Sequence, residues 1–161
     1  MDNEFLYEKF KSDPIYNLEL FEFIFGECIG NGASRAVYVF NPNPKYVIKV
    51  QVDNMPGYNK NLREYELWNR MNWDEEMEDI KKWFAPVKLL SRHNRLLLQP
   101  RCEPLPKARI PKKVPHFFRD LKSDNWGLLN NKVVCFDYGT VDFDDYISKK
   151  AYKLKSRKFN I

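Results

Sequence analysis

Two short segments constrain the fold more than anything else in the chain. They are "RAVYVF", residues 35 to 40, and "KYVIKVQV", residues 45 to 52, held apart by "NPNP". Both are dense in β-branched and aromatic residues, which suit a pleated, half-buried surface. Two prolines in four residues cannot continue either strand, so the tetrad is a turn. A third run, "FEFIFGECIG" from residue 21, sets Phe21, Phe23 and Phe25 at period two and predicts another strand, with "NGAS" as the turn after it. Strands joined this tightly predict an antiparallel meander. "VKLLS" and "RLLLQPR", joined by "RHN", predict a further hairpin and bring the sheet to five strands.

Between the third and fourth strands the pattern changes. "DNMPG" breaks the chain, and residues 58 to 71 predict a helix. At about 100° per residue, Tyr65, Trp68 and Met71 fall within one arc of about 120°, with Glu64 inside that arc and Glu66 well outside it. A carboxylate on the buried stripe of a helix is expensive unless a cation meets it. Glu64 therefore predicts a cationic partner. A second helical stretch, "DEEMEDIKKWF", ends before Pro86. "CEPLPKARIPKKVP" reads as a connector, and "GLLN", "NN" and "KVVCF" as a short hairpin leading to "DYGT". The first twenty residues predict a short helix or an extended arm.

Composition narrows the class. With 161 residues, 43% of them hydrophobic and 16% aromatic, the chain predicts one compact domain with a real core. No run reaches the roughly 18 apolar residues of a membrane helix. The acidic start, "MDNEFLYEKF", lacks the pattern of a signal peptide, so a soluble, cytoplasmic protein is expected. Cys28, Cys102 and Cys135 are too scattered for a disulfide framework or a zinc site, and two histidines exclude a histidine-rich metal centre. The net charge of +5 owes much to the tail "KKAYKLKSRK", which reads as a solvated tail. Without interleaved aromatics it does not make nucleic acid the expected partner.

Taken in chain order, the features are a glycine turn between strands, a lysine on the third strand and an inward glutamate on the next helix. A polar loop, "FRDLKSDN", and an aspartate after a strand, "CFDYGT", follow. This order resembles the eukaryotic-type protein kinase fold and its small bacterial and phage-encoded relatives. "GNGASRAV" is similar to the glycine-rich loop, with Gly30, Gly32 and Ser34 on the phosphate side and Val37 against the adenine; Arg35 stands where the pattern has its third glycine. "YVIKV" is similar to the third-strand lysine motif, with Val47 in the alanine slot. The resemblance implies that Lys49 binds the α/β-phosphates of ATP and pairs with Glu64, fifteen residues on. It likewise implies that Asp120 takes or orients the acceptor's proton and that Lys122 neutralises the transferred phosphoryl group. Asn125 and Asp137 would hold Mg²⁺. Phe118 replaces the usual histidine, Ser123 the proline, and Tyr138 the phenylalanine.

The implied fold is α+β: a kinase-like N-lobe over residues 21 to 103, made of a five-stranded antiparallel sheet plus an αC-type helix. A strongly reduced C-lobe, residues 104 to 141, carries the catalytic loop and the metal-binding hairpin, and residues 142 to 161 form a short helix and a basic tail. Two helices usual before the catalytic loop have no room here, and no activation segment follows Gly139. Missing support for the loop could come from the last helix, a second copy of the chain or a target protein. Two functions stand: a minimal phosphotransferase acting on a protein Ser/Thr hydroxyl, or a pseudokinase-like binding module that engages a partner, a host protein if the chain is phage-encoded, without catalysis.

Overall fold

The computed structural model describes residues 18–52, 59–141, 143 and 156–158. The chain divides into two compact units, Met1–Tyr65 with Pro86–Arg101, and Glu66–Ala85 with Cys102–Ile161. The class is α+β.

The first unit is built on five antiparallel strands: β1 (Phe25–Asn31), β2 (Arg35–Phe40), β3 (Tyr46–Gln51), β4 (Leu89–Leu90) and β5 (Leu96–Pro100), in the order β1-β2-β3-β5-β4. The central strand β3 is buried on both faces, and period two sorts its residues. Ile48 and Val50 join Phe21, Phe25, Ala36, Tyr38 and Val52 in an apolar core. The opposite face takes Val47, Lys49 and Gln51, which face Val39, Val37 and Arg35 across the β2–β3 register.

One expected strand is a helix at its start. Leu18–Ile24 forms α1, and β1 begins only at Phe25. The Leu-Glu-Leu opening favours a helix, and residues four apart share a helical face. Phe21 and Phe25 accordingly stack at 4.4 Å inside the core, while Phe23 is 68% exposed. A strand would have buried all three together; the three-phenylalanine alternation was coincidental.

Helix α2 runs Lys60–Trp73, and its buried residues are Asn61, Glu64, Leu67 and Met71. The stripe is therefore centred on Glu64, and Tyr65 and Trp68, placed within it by the sequence, are only half-buried.

In the second unit, the expected second helix is a 3₁₀ turn, Glu75–Met77, followed by the single-turn α3, Glu78–Lys81. Asp74 caps the turn by accepting from the Glu76 amide at 3.0 Å. The proline-rich connector is more regular than its composition suggests, with β6 (Glu103–Pro104), a 3₁₀ turn at Lys107–Arg109 and β7 (Lys113–Pro115). Prolines fit there because these are short edge pieces. Strands β8 (Trp126–Leu129) and β9 (Lys132–Cys135) form the expected hairpin, and β6 pairs with β8 on its other side. Asn130 and Asn131 both have positive φ, 50° and 62°, as a two-residue hairpin turn of primed type requires. A last strand, β10 (Ser156–Lys158), pairs antiparallel with β7. The short helix expected after residue 142 lies outside the described residues.

Phe84 centres the core of this unit. Its ring lies 4.9 Å from those of Phe118 and Tyr138, 5.8 Å from Phe143 and 5.9 Å from Phe117. No disulfide joins Cys28, Cys102 or Cys135. Among the described residues no helix is long and apolar enough to cross a membrane.

Candidate functional site

The candidate residues fall into two sets, one in each unit. In the first unit the sheet register does the positioning. Val37 lies opposite Lys49, and Val39 opposite Val47, so Val37, Val47 and Lys49 share one face of the sheet. Glu64 reaches that face from α2. Its Oε2 accepts a hydrogen bond from Lys49 Nζ at 2.8 Å, and its Oε1 accepts from Arg35 Nη2 at 2.8 Å. All three side chains are buried, Glu64 completely. A buried carboxylate that offers each oxygen to a different cation meets the requirement its helical position imposed.

Asn61 completes this cluster. One helical turn before Glu64, it accepts from Arg35 Nη1 at 3.2 Å and donates to the backbone carbonyls of Lys49 at 3.0 Å and Arg95 at 2.8 Å. The sequence reading missed it, although its spacing of three from Glu64 was a usable signal. The sequence reading took Arg35 as a departure from a glycine pattern that could itself reach a phosphate, whereas the structure sets its guanidinium on Glu64 and Asn61. Its inward direction follows from strand parity, since Arg35, Val37 and Val39 alternate on one face.

The turn that leads into Arg35 is tight: the Gly32 amide donates to the Arg35 carbonyl at 2.8 Å, and the Val52 amide donates to the Ser34 carbonyl at 2.9 Å. Neither Gly30 nor Gly32 is demanded by the surrounding chain. A Cβ at Gly30 would meet Val37 at 3.5 Å, and one at Gly32 would meet the Arg35 carbonyl at 3.6 Å, both ordinary contacts. Gly127 is the opposite case, where a Cβ would come within 2.7 Å of Cys102 and of the Glu103 carbonyl.

In the second unit, residues 119 to 125 form the polar loop. The Lys122 backbone amide donates to Asp120 Oδ1 at 3.4 Å, a long, exposed bond of the Asx-turn kind. The chain then makes a 3₁₀ turn through Ser123–Asn125, closed by the Asn125 amide on the Lys122 carbonyl at 3.1 Å. The Asn125 carbonyl accepts from the amides of Phe136, at 2.9 Å, and Asp137, at 3.4 Å. Asn125 and Asp137, distant in sequence, are thus brought side by side by the β8–β9 hairpin. Aromatic packing holds the loop from both ends, with Phe118 against Trp126 at 4.7 Å and the Tyr138 hydroxyl donating to the Ala85 carbonyl at 2.9 Å. Lys122 is exposed and Asp120 half-buried.

The donor set suits a hard cation. Asn125 and Asp137 offer amide and carboxylate oxygens, and Mg²⁺ takes few protein ligands because phosphates and water complete its shell. Among the described residues no group of three or more His, Cys, Asp or Glu side chains could hold a metal by itself. No family model matches the chain, and no curated protein matches it.

Proposed function

We propose that this chain is a minimal protein-kinase-like phosphotransferase that binds Mg·ATP and passes the γ-phosphoryl group to a protein Ser/Thr hydroxyl. The observation that carries the reading is the 2.8 Å pair between Lys49 and Glu64, on the sheet face that also holds Val37 and Val47. A strand lysine oriented by a helix carboxylate is what phosphate binding by this class of enzyme requires. The two glycines that the fold itself does not need support the reading, since a bare backbone lets amides approach phosphate oxygens closely.

On this reading Lys49 steadies the phosphates, with Val37 and Val47 as the apolar wall for the base. Asn125 and Asp137 would hold the magnesium ion, which supplies charge neutralisation on the phosphates. The acceptor oxygen forms a bond to the γ-phosphorus while the bond to the β–γ bridging oxygen breaks. The electron pair leaves with ADP, and the hydroxyl proton passes to Asp120. Lys122 meets the charge on the transferred group. Positioning and electrostatics supply most of the acceleration in such a step.

A second reading keeps the fold and drops the chemistry. Arg35 opens strand β2 where the kinase pattern has glycine, and it binds the glutamate that otherwise serves the lysine alone. A pseudokinase-like binding module would tolerate that.

Calorimetric titration of ATP, with and without Mg²⁺, separates the two. Magnesium-dependent binding that Asp137→Ala abolishes, with labelled phosphate transfer lost in Asp120→Ala, is the expected result. Absence of binding at millimolar ATP sinks the phosphotransferase and leaves the binding module.

A further inference from the structure

Asp137 is held through its neighbours on both sides, and both holds end on one residue. On the N-terminal side, the Cys135 amide donates to the Trp83 carbonyl at 2.8 Å and the Cys135 carbonyl accepts from the Ala85 amide at 2.9 Å, a parallel bridge around Phe84. On the C-terminal side, the Tyr138 hydroxyl donates to the Ala85 carbonyl at 2.9 Å. Ala85 therefore grips residues 135 and 138, on either side of Asp137. Between the grips the ties are slacker. The Asp137 amide donates to the Asn125 carbonyl at 3.4 Å, and the Asp137 carbonyl accepts from Cys135 Sγ, a weak donor, at 3.3 Å. Tyr138 is fully buried, with its ring edge-on to Phe84 at 4.9 Å and 81°. The phenylalanine that the kinase resemblance puts at this position would fill the same space and bring no donor.

We propose that the Tyr138 hydroxyl is a positioning group: by closing the grip of Ala85 it fixes the backbone turn that carries Asp137, and thereby sets how tightly Asp137 takes Mg²⁺ with ATP. The hold on the turn stands on the hydrogen bonds alone, whereas its effect on magnesium rests on the phosphotransferase reading. Mg²⁺ demands near-ideal octahedral geometry from few protein ligands. A carboxylate whose backbone is fixed beforehand meets that demand without being ordered at the moment of binding, and the ordering cost is what weakens a mobile ligand. A buried phenol needs an acceptor in any case. A hydroxyl that served the core alone would stabilise the fold and leave the metal untouched, which is the difference the test reads.

The test compares Tyr138→Phe with Asn131→Ala in the full chain. Each removes a side-chain hydrogen bond of the second unit, and Asn131 lies at the β8–β9 turn, outside the proposed site. Amide exchange of residues 136 to 139 is followed by NMR in the nucleotide-free protein, and ATP is titrated by calorimetry with and without Mg²⁺. In Tyr138→Phe these amides exchange about tenfold faster and Mg·ATP binds about tenfold more weakly, while magnesium-free ATP binds as in wild type. In Asn131→Ala the thermal midpoint falls, but exchange at 136 to 139 and Mg·ATP affinity stay as in wild type. Equal acceleration of exchange in both variants, or unchanged exchange in Tyr138→Phe, overturns the proposal. Faster exchange with unchanged Mg·ATP affinity overturns the role toward the metal and leaves the hydroxyl as a fastening of the turn. If wild type binds no Mg·ATP, the phosphotransferase falls and the metal role with it, whereas faster exchange confined to Tyr138→Phe still upholds the hold on the turn.

Discussion

Glu64 is the most consequential residue of the first unit because it is the shared anion of two buried cations. Replacing it with Gln leaves Arg35 and Lys49 facing an uncharged amide. Breaking a buried pair from one side costs about 3–5 kcal/mol, so Glu64→Gln should lower the urea midpoint strongly. Lys49→Met should cost less, since the carboxylate keeps Arg35 at 2.8 Å. If the two variants unfold at the same midpoint, Arg35 is not carrying the carboxylate. Glycines give the complementary comparison. Gly127→Ala pushes a methyl against backbone and should cost about 1–3 kcal/mol, whereas Gly30→Ala and Gly32→Ala should leave stability within about 1 kcal/mol and weaken Mg·ATP binding. Loss of fold in the latter two would mean that these glycines serve the hairpin and no ligand.

At the scale of elements, legibility followed the physics that decides each one. Strands β2 and β3 were readable because β-branched density and proline punctuation agree. Helix α2 was readable because one polar residue on an apolar stripe stands out. Helix α1 was not, since alternation over five residues fits a strand and a two-residue helical contact equally well. Only packing, with Phe21 on Phe25 and Phe23 outward, separates them. The β8–β9 turn was legible as "NN", and its geometry yields a test. Asn131 has φ of 62°, its side chain accepts from Arg109 Nη1 and its carbonyl from Nη2, both at 2.8 Å. Asn131→Ala places a residue less suited than asparagine to the left-handed region at this turn and removes the side-chain bond, a loss of about 1–2 kcal/mol in thermal unfolding. Asn131→Gly keeps the turn and should lose less.

For the molecule as a whole, contacts close in the sheet or along one hairpin were easier to read than the grouping of distant segments. Periodicity marked Glu64 as needing a cation, and the resemblance named Lys49 as that cation, as the structure has it. The adjacency of Asn125 and Asp137 needed only a hairpin between them. What stayed hidden depended on long-range pairing: the joining of β10 to β7 across the second unit, and the assignment of Glu66–Ala85 to the same unit as the polar loop. No local pattern encodes either, because both are choices among distant partners of similar propensity. The three-way tie at Glu64 has a last consequence. A helix fastened to two strands through one carboxylate, and again through Asn61, has little room to swing outward. Strands β2 and β3 and the start of this helix are thereby clamped into one block, whose buried amides should exchange with solvent together rather than piece by piece.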